Sequence, residues 1–379
     1  MTHNHLSVQC MKDQRIEGKR EKARFVPRFP QTDNEGRKNM SRKWQILTCC
    51  FLGLMVAFAT GMASDAGAYE YKWRMTQVMP EDSDFHRRAL AFAEEVKQKT
   101  DGRITITVYS GGVLCDWVEC HERIMRGDYQ LGLQPLAPTY DPRLNIGYYM
   151  PYLFTNTDEA KNAYKRGGWV YNMVGDLLMD QGIKGLALMP IGWAGMTTKV
   201  EPEGWREMKP NKMKVRVMPL KACELTYERL GFIPSTIPYN EAFSAIERGV
   251  ADGESGGPPF QGYQFRDIQG VWIQYNDYLE PWWFFMNLEL FNKLTKEDQT
   301  VLLDAAEKQV KGRWDYFLKE DEEYRQKMKE FGLKVLMPTD KELKAFAKAV
   351  REEVWPKMEP LMGKALVDKC REEVGMPVK

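Results

Sequence analysis

The sequence predicts a layered α/β protein, and three observations carry that expectation. Short runs with a period of two alternate with longer runs at helical spacing; glycine, proline and aspartate separate them; and no internal repeat or low-complexity linker interrupts the pattern. Residues 71–78 read as a strand, and residues 85–99 as a helix with Ala89, Phe92, Ala93 and Val96 on one stripe. Residues 104–109 alternate as a strand. A helix over 117–126 closes at Gly127, and residues 131–133 begin a short strand. A helical stretch over 158–181 breaks at Gly167-Gly168, and 186–189 is a strand. Strand 214–217, helix 220–230, strand 235–237 and helix 239–248 then form consecutive βα units. Asp252-Gly253 reads as a turn, with glycine supplying positive φ.

The last third is different in kind. Thr295 and Asp298 have the spacing of a capping box and open a helix that runs to about residue 330, long enough for a brace rather than a crossover. Trp314, Tyr316 and Phe317 are its expected core contacts. A final amphipathic helix is expected over about 340–362.

The 379 residues carry a net charge of +1 and 43% hydrophobic residues, enough for sizeable cores. The charge is unevenly placed. Residues 1–68 hold 11 of the 54 basic and 6 of the 53 acidic residues, which leaves 43 against 47, or −4, for residues 69–379. That remainder has no basic surface for nucleic acid.

The N-terminus accounts for the asymmetry. Ser41-Arg42-Lys43 precedes an apolar run from residue 46 to 63, and Ala66-Gly67-Ala68 follows, the order of a signal peptide with cleavage after Ala68. The alternative is an uncleaved anchor, since the run approaches the roughly 20 residues that span a bilayer. Residues 1–39 are polar, basic and aperiodic, and Met40 directly precedes the charged region. Residues 1–39 are therefore read as a gene-model extension without a fold of its own, and residues 40–68 as the signal peptide.

Past residue 68 the cysteines are Cys115, Cys120, Cys223 and Cys370, and the histidines are His86 and His121. Cys115 and Cys120 pair only if the helix begins between them; otherwise they are small apolar residues. No C-x-x-C pair or histidine cluster suggests a metal, and no cofactor is expected. There is also no G-x-S-x-G elbow, Walker loop or G-x-G-x-x-G, so an enzyme is not expected.

The most informative residue is Arg216, on the run Lys214-Val-Arg-Val217. Alternation points it away from the face of Val215 and Val217. A guanidinium on a rigid strand suits a carboxylate in two parallel bonds, although a structural, salt-bridged arginine has the same spacing.

The residues 213–219, Leu230-Gly231, Pro238-Tyr239-Asn240-Glu241-Ala242 and 249–254 together resemble the solute-binding proteins of TRAP transporters, the tripartite ATP-independent periplasmic systems. Upstream, Phe92-Ala93-Glu94-Glu95-Val96, Thr100-Asp101-Gly102-Arg103-Ile104 and residues 108–114 are similar to that family's first helix, second strand and ligand loop. Residues 150–154, Asp158-Glu159-Ala160 and 294–299 extend the likeness over roughly 69–340. The resemblance implies a two-lobed periplasmic-binding-protein-like fold with a hinge cleft and a long lobe-spanning C-terminal helix. Residues 69–193 plus 282–321 would form one lobe and 194–281 plus 322–379 the other. It also implies a monomer in the periplasm that captures a small organic acid and delivers it to TRAP membrane permease subunits. A ligand sensor reporting to a receptor kinase and an ATP-driven importer's binding protein remain alternatives.

By the same resemblance Arg216 binds the ligand carboxylate, Tyr239 flanks the ligand, Asp116 and Trp117 lie on a loop with polar contacts, and Gln134 ends the next strand. Many relatives carry Asn at the position of Gly256; here the segment reads Glu254-Ser255-Gly256, so Ser255, backbone N–H groups or water would complete the carboxylate site. Sialic-acid-type relatives have a second Arg near Ala194, absent here, which disfavours a sugar acid. Trp193 sits where the chain crosses between lobes, and Tyr278, Trp282 and Trp283 sit near the return crossing. Trp193 and one of the two adjacent tryptophans are expected in the pocket. Such a wall favours an acid with an apolar or aromatic body.

Overall fold

A computed structural model of the chain describes residues 70–378. The expected signal peptide and the 1–39 extension lie outside the described residues. The strands in chain order are β1 (Tyr71–Gln77), β2 (Ile104–Tyr109), β3 (Leu131–Gln134), β4 (Ile183–Trp193), β5 (Gly195–Thr198), β6 (Lys214–Val217), β7 (Ile233–Thr236), β8 (Gly253–Gly257), β9 (Val271–Ile273), β10 (Leu279–Asn287) and β11 (Lys334–Leu336). They form two sheets, ordered β2-β1-β3-β10-β4 and β11-β9-β5-β8-β6-β7.

Each sheet is built from the βα units that the periodicity predicts. Between parallel β1 and β2 runs the helix Asp84–Lys99, capped by Ser83, which accepts from His86 N at 3.1 Å. Its stripe of Phe85, Ala89, Phe92, Ala93 and Val96 is buried, so the 3.6-residue spacing found its core. In the second sheet β6 is parallel to β7 and to β8, with helices Lys221–Arg229 and Tyr239–Glu247 as the connections. The hydrophobic break at Gly167-Gly168 falls between helices Thr157–Tyr164 and Trp169–Asp180. An added Cβ at Gly168 would lie 2.3 Å from the Ala163 carbonyl oxygen, which requires glycine there.

The sequence reading missed β5, β9, β10 and β11, and β10 is the longest of them. It lies antiparallel between β3 and β4 with every residue buried, so no period of two survives to mark it as a strand. Pro281 sits at a register shift between Glu280 and Pro281, the kind of irregularity that accommodates proline in a central strand.

The chain crosses between the sheets at Ala194, the single residue between β4 and β5, and returns over 274–278. The two crossings bond to one another: Ala194 N donates to Tyr278 O at 3.0 Å, Asn276 N to Ala194 O at 2.9 Å, and Gln274 Nε2 to Trp193 O at 2.8 Å. A third passage lies in the C-terminal third, where the structure corrects an expectation. The brace is two helices, Lys296–Trp314 and Phe317–Phe331, with a break at Asp315-Tyr316. Gly312, in the last turn before the break, is the one local weakness there. The break occurs where the buried Arg313 is drawn toward the β4 carbonyls, with Nε donating to Pro190 O at 3.2 Å and Nη2 to Ile191 O. The terminal helix is likewise divided, into Asp340–Glu353 and Trp355–Met362, with Pro356 opening the second, and Lys364–Glu373 follows.

The reading of Asp252-Gly253 as a turn with positive φ also needs correction. Gly253 is the first residue of β8 and is not among the residues with positive φ. Glycine is needed because a Cβ would meet Thr197 O at 2.4 Å across the paired strands.

Candidate ligand-binding site

β6 carries Arg216 between the buried Val215 and Val217, with Glu254 of β8 directly beside it in register. The guanidinium is 1% exposed; Nε donates to Ile237 O at 2.8 Å and Nη1 to Glu254 Oε1 at 3.1 Å. Among the described residues Nη2 has no hydrogen-bond partner. The group also lies 5.5 Å from the centroid of the Tyr239 ring. Ser255 spends its hydroxyl on Arg216 O at 2.9 Å, which fixes the strand rather than offering a donor. Gly256 follows at φ +95°, and a Cβ there would touch Met218 Cε at 3.0 Å, so this backbone suits glycine where an asparagine would be strained.

Against this face stands a set of groups from the other sheet and the return crossing. Tyr148 donates to Met218 Sδ at 3.0 Å, and its ring packs on Trp117 at 5.5 Å and edge-on to Tyr278 at 6.4 Å. Glu280, at the start of β10, accepts from Trp282 Nε1 at 2.8 Å and from Gln261 Nε2 at 3.3 Å. Trp282 packs on Phe85 at 5.0 Å, and Phe85 on Phe260 of the second sheet's helix Pro259–Tyr263 at 5.5 Å. Arg216, Glu254 and Glu280 all act electrostatically on the Tyr148 hydroxyl, which burial and Glu280 push well up and Arg216 pulls down. Arg216 and Glu254 pair across β6 and β8, and Glu280 is linked to the same edge through Gln261, whose side chain packs against Gly257 at the end of β8.

The remaining expected residues are placed as follows. Asp116 caps the helix Trp117–Met125, accepting from Val118 N at 2.8 Å and Glu119 N at 3.1 Å. Because that helix starts after Cys115, Cys115 and Cys120 come within 5.4 Å between Cα atoms and form a disulfide that closes the loop. Gln134 donates to Trp117 O at 2.7 Å and accepts from Thr76 at 3.0 Å, so it buttresses the Trp117 backbone. Trp193 donates from its indole to Thr157 Oγ1 at 3.2 Å, and its backbone N–H to Asp321 Oδ2 at 3.1 Å. Tyr239 is 39% exposed and donates to Gln264 Oε1 at 2.8 Å. Trp282 and Trp283 point to opposite faces, as successive strand residues must. Trp283 faces away from the Arg216 side: its indole donates to Gly147 O at 3.0 Å, and its ring stacks on Tyr171 at 5.7 Å.

Sequence reasoning missed Glu280, Gln261, Tyr148, Met218 and Phe85 in this neighbourhood. The alternation Glu280-x-Trp282 was the available signal, hidden by the apolar run after it.

Burial raises three carboxyls here. It holds Glu280 up at about 8 and outweighs the adjacent guanidinium to hold Glu254 up at about 7. Asp277, buried and accepting from Tyr149 and Tyr227, is held up at about 6. Each binds its proton more tightly folded than unfolded, so its contribution to stability is complete below the ordinary carboxylate range and is lost as pH rises through about 6 to 8. A tenfold change in proton affinity is worth about 1.4 kcal/mol, so the combined loss is on the order of several kcal/mol. The ligand-free protein is expected to melt higher near pH 5.5 than near pH 8.5. A melting temperature that climbs across that interval would rule this out.

Two α/β sheets joined by paired crossings are the architecture of a two-lobed binding protein. Known proteins agree. The family model "bacterial extracellular solute-binding protein, family 7" matches residues 75–360, and the chain belongs to that family. The C4-dicarboxylate-binding protein DctB of Bacillus subtilis is 26% identical over 310 residues, covering 78% of this chain and 84% of that protein. The ectoine-binding periplasmic protein TeaA of Halomonas elongata is 24% identical over 353 residues, covering 88% and 97%. The chain shares its fold with a TRAP periplasmic solute-binding protein of Desulfovibrio salexigens solved with orotic acid, at a TM-score of 0.73 and 18% identity over 81% of this chain and 99% of that one. Its function is that of an extracellular solute-binding protein. The receptor-kinase alternative gains no support from these relatives.

Proposed function

We propose that this protein captures a small organic acid in the periplasm, holds its carboxylate on Arg216, and delivers it as a monomer to a TRAP membrane permease without chemical change. The observation that carries this reading is a buried guanidinium with an uncommitted Nη2 edge, beside the Tyr239 ring at 5.5 Å and two residues from Met218, which Tyr148 of the other lobe reaches. Arginine offers a planar fork, so one edge can hold Glu254 while the other accepts a ligand oxygen. The proposed ligand contacts are Arg216, Tyr148, Tyr239, Trp282 and Glu280, with Trp283 in the core. The lobes of this reading are 69–193 plus 282–321 and 194–281 plus 322–379; the pairing of β10 with β4 from Leu279 onward supports a return just before that boundary.

Two measurements test it. Mass spectrometry of small molecules released from denatured purified protein should find a carboxylic acid, and a thermal-shift screen should include C4-dicarboxylates, ectoine, orotate and galactonate. A true ligand at 100 times its dissociation constant should stabilise by about 2.7 kcal/mol. Periplasmic placement has its own check. Expressed in a bacterial host from Met40, the mature protein should begin at Tyr69, and an intact mass that retains residues 46–63 would make it an anchored protein.

A further inference from the structure

We infer that the cleft takes a zwitterion: an organic acid whose far end carries an ammonium or amidinium group, the carboxylate on Arg216 and the cationic N–H donors on Glu280. This inference rests on the reading above and narrows its ligand class.

Buried charge in the cleft is out of balance. Two carboxyls here are almost completely buried: Glu254, beside Arg216 in register, and Glu280, bonded to Gln261, whose side chain packs against Gly257 of the same strand as Glu254. Arg216 answers Glu254 through one 3.1 Å bond. Among the described residues no cation pairs with Glu280. Its oxygens accept one neutral N–H each, from the Trp282 indole and the Gln261 amide. A buried carboxylate served only by neutral donors is costly, and an incoming cation removes that cost.

Three further features suit a cation. Each Glu280 oxygen keeps a lone pair free after its single bond. The Tyr278 hydroxyl, 3% exposed, has no hydrogen-bond partner among the described residues, so one buried oxygen, on the ring that packs edge-on to Tyr148, is left to accept. The indole of Trp282, bonded to the carboxyl, is an aromatic surface that attracts a cation through its ring quadrupole; the Phe85 ring packed on it is already covered by Arg313. The raised positions of Glu254 and Glu280, set by burial, are what a site without its cationic ligand should show.

The test uses the mature full-length protein and acids that differ only at the far end. Calorimetry should compare valerate, glutarate and δ-aminovalerate, with ectoine as an amidinium acid. At least one cationic probe is expected to bind about tenfold or more tightly than both valerate and glutarate. In Glu280→Gln, checked by its melting curve to be folded, that ratio should collapse toward one. Preference for valerate or glutarate, no binding of either cationic probe, or a ratio unchanged in Glu280→Gln would overturn the inference. Arg216→Ala separates the two readings. If it weakens glutarate or valerate while the far-end preference is absent, the zwitterion inference alone fails; if it leaves acid binding unchanged, the carboxylate anchor fails as well.

Discussion

Arg216→Ala is expected to lower affinity for the true ligand by a few hundred to a few thousand fold. Removing one partner from a buried charge pair costs about 3–5 kcal/mol, which corresponds to that factor. Arg216→Lys should not rescue binding. Lysine keeps the charge, but a point ammonium cannot hold Ile237 O and Glu254 and still present an edge to the ligand. The structure adds a consequence that the strand pattern could not give. Arg216 is also the partner of Glu254, so Arg216→Ala leaves that carboxyl buried alone and lowers the melting temperature, more at alkaline than at acid pH. The double variant Arg216→Ala, Glu254→Gln should recover much of the stability and none of the affinity. Calorimetry that places Arg216→Ala within tenfold of wild type would make Arg216 a structural residue of the strand.

Arg313→Met is expected to be the most destabilising single change at the lobe junction. Arg313 is fully buried where the brace breaks, and it serves four groups at once: Pro190 O, Ile191 O, Asp84 Oδ2 at 3.5 Å and Glu320 Oε2. Its guanidinium also covers the Phe85 ring at 5.0 Å, the same ring that packs on Trp282. Methionine keeps much of the stem but leaves two carbonyls unpaired and Glu320 without its cation, while Asp84 retains Arg88 at 2.6 Å. A loss of about 3–5 kcal/mol follows, a fall in melting temperature on the order of ten degrees for a chain of this size. Denaturant titration that finds less than about 1 kcal/mol would show that water replaces the guanidinium and that the junction is held by packing.

The local elements were legible because each carries its own period. The helix Asp84–Lys99 shows its buried stripe in the spacing of Phe85, Ala89, Phe92 and Val96. β2 and β6 match the expected residues at both ends, because their flanking turns are marked in sequence. The brace was misjudged for the opposite reason. Its break at Asp315-Tyr316 is marked locally only by Gly312 in the preceding turn, and it coincides with Arg313 reaching carbonyls more than a hundred residues earlier. β10 was hidden because burial on both faces erases alternation.

The candidate site divides along the same line. Sequence alone determined that Arg216 stands on the strand 214–217, and the resemblance implied that it serves as the anchor with Glu254-Ser255-Gly256 near it; the register that sets Glu254 beside it came from the structure. Only the tertiary structure decided that Trp282 and not Trp283 faces Phe85 and Glu280, that Ser255 is spent on the backbone, and that Glu280 and Gln261 join the cleft. Period and propensity report which residues share a face of one element. Which faces meet is set by chain crossings such as Ala194 and 274–278, whose hydrogen bonds join residues some eighty positions apart and leave no trace in any local pattern.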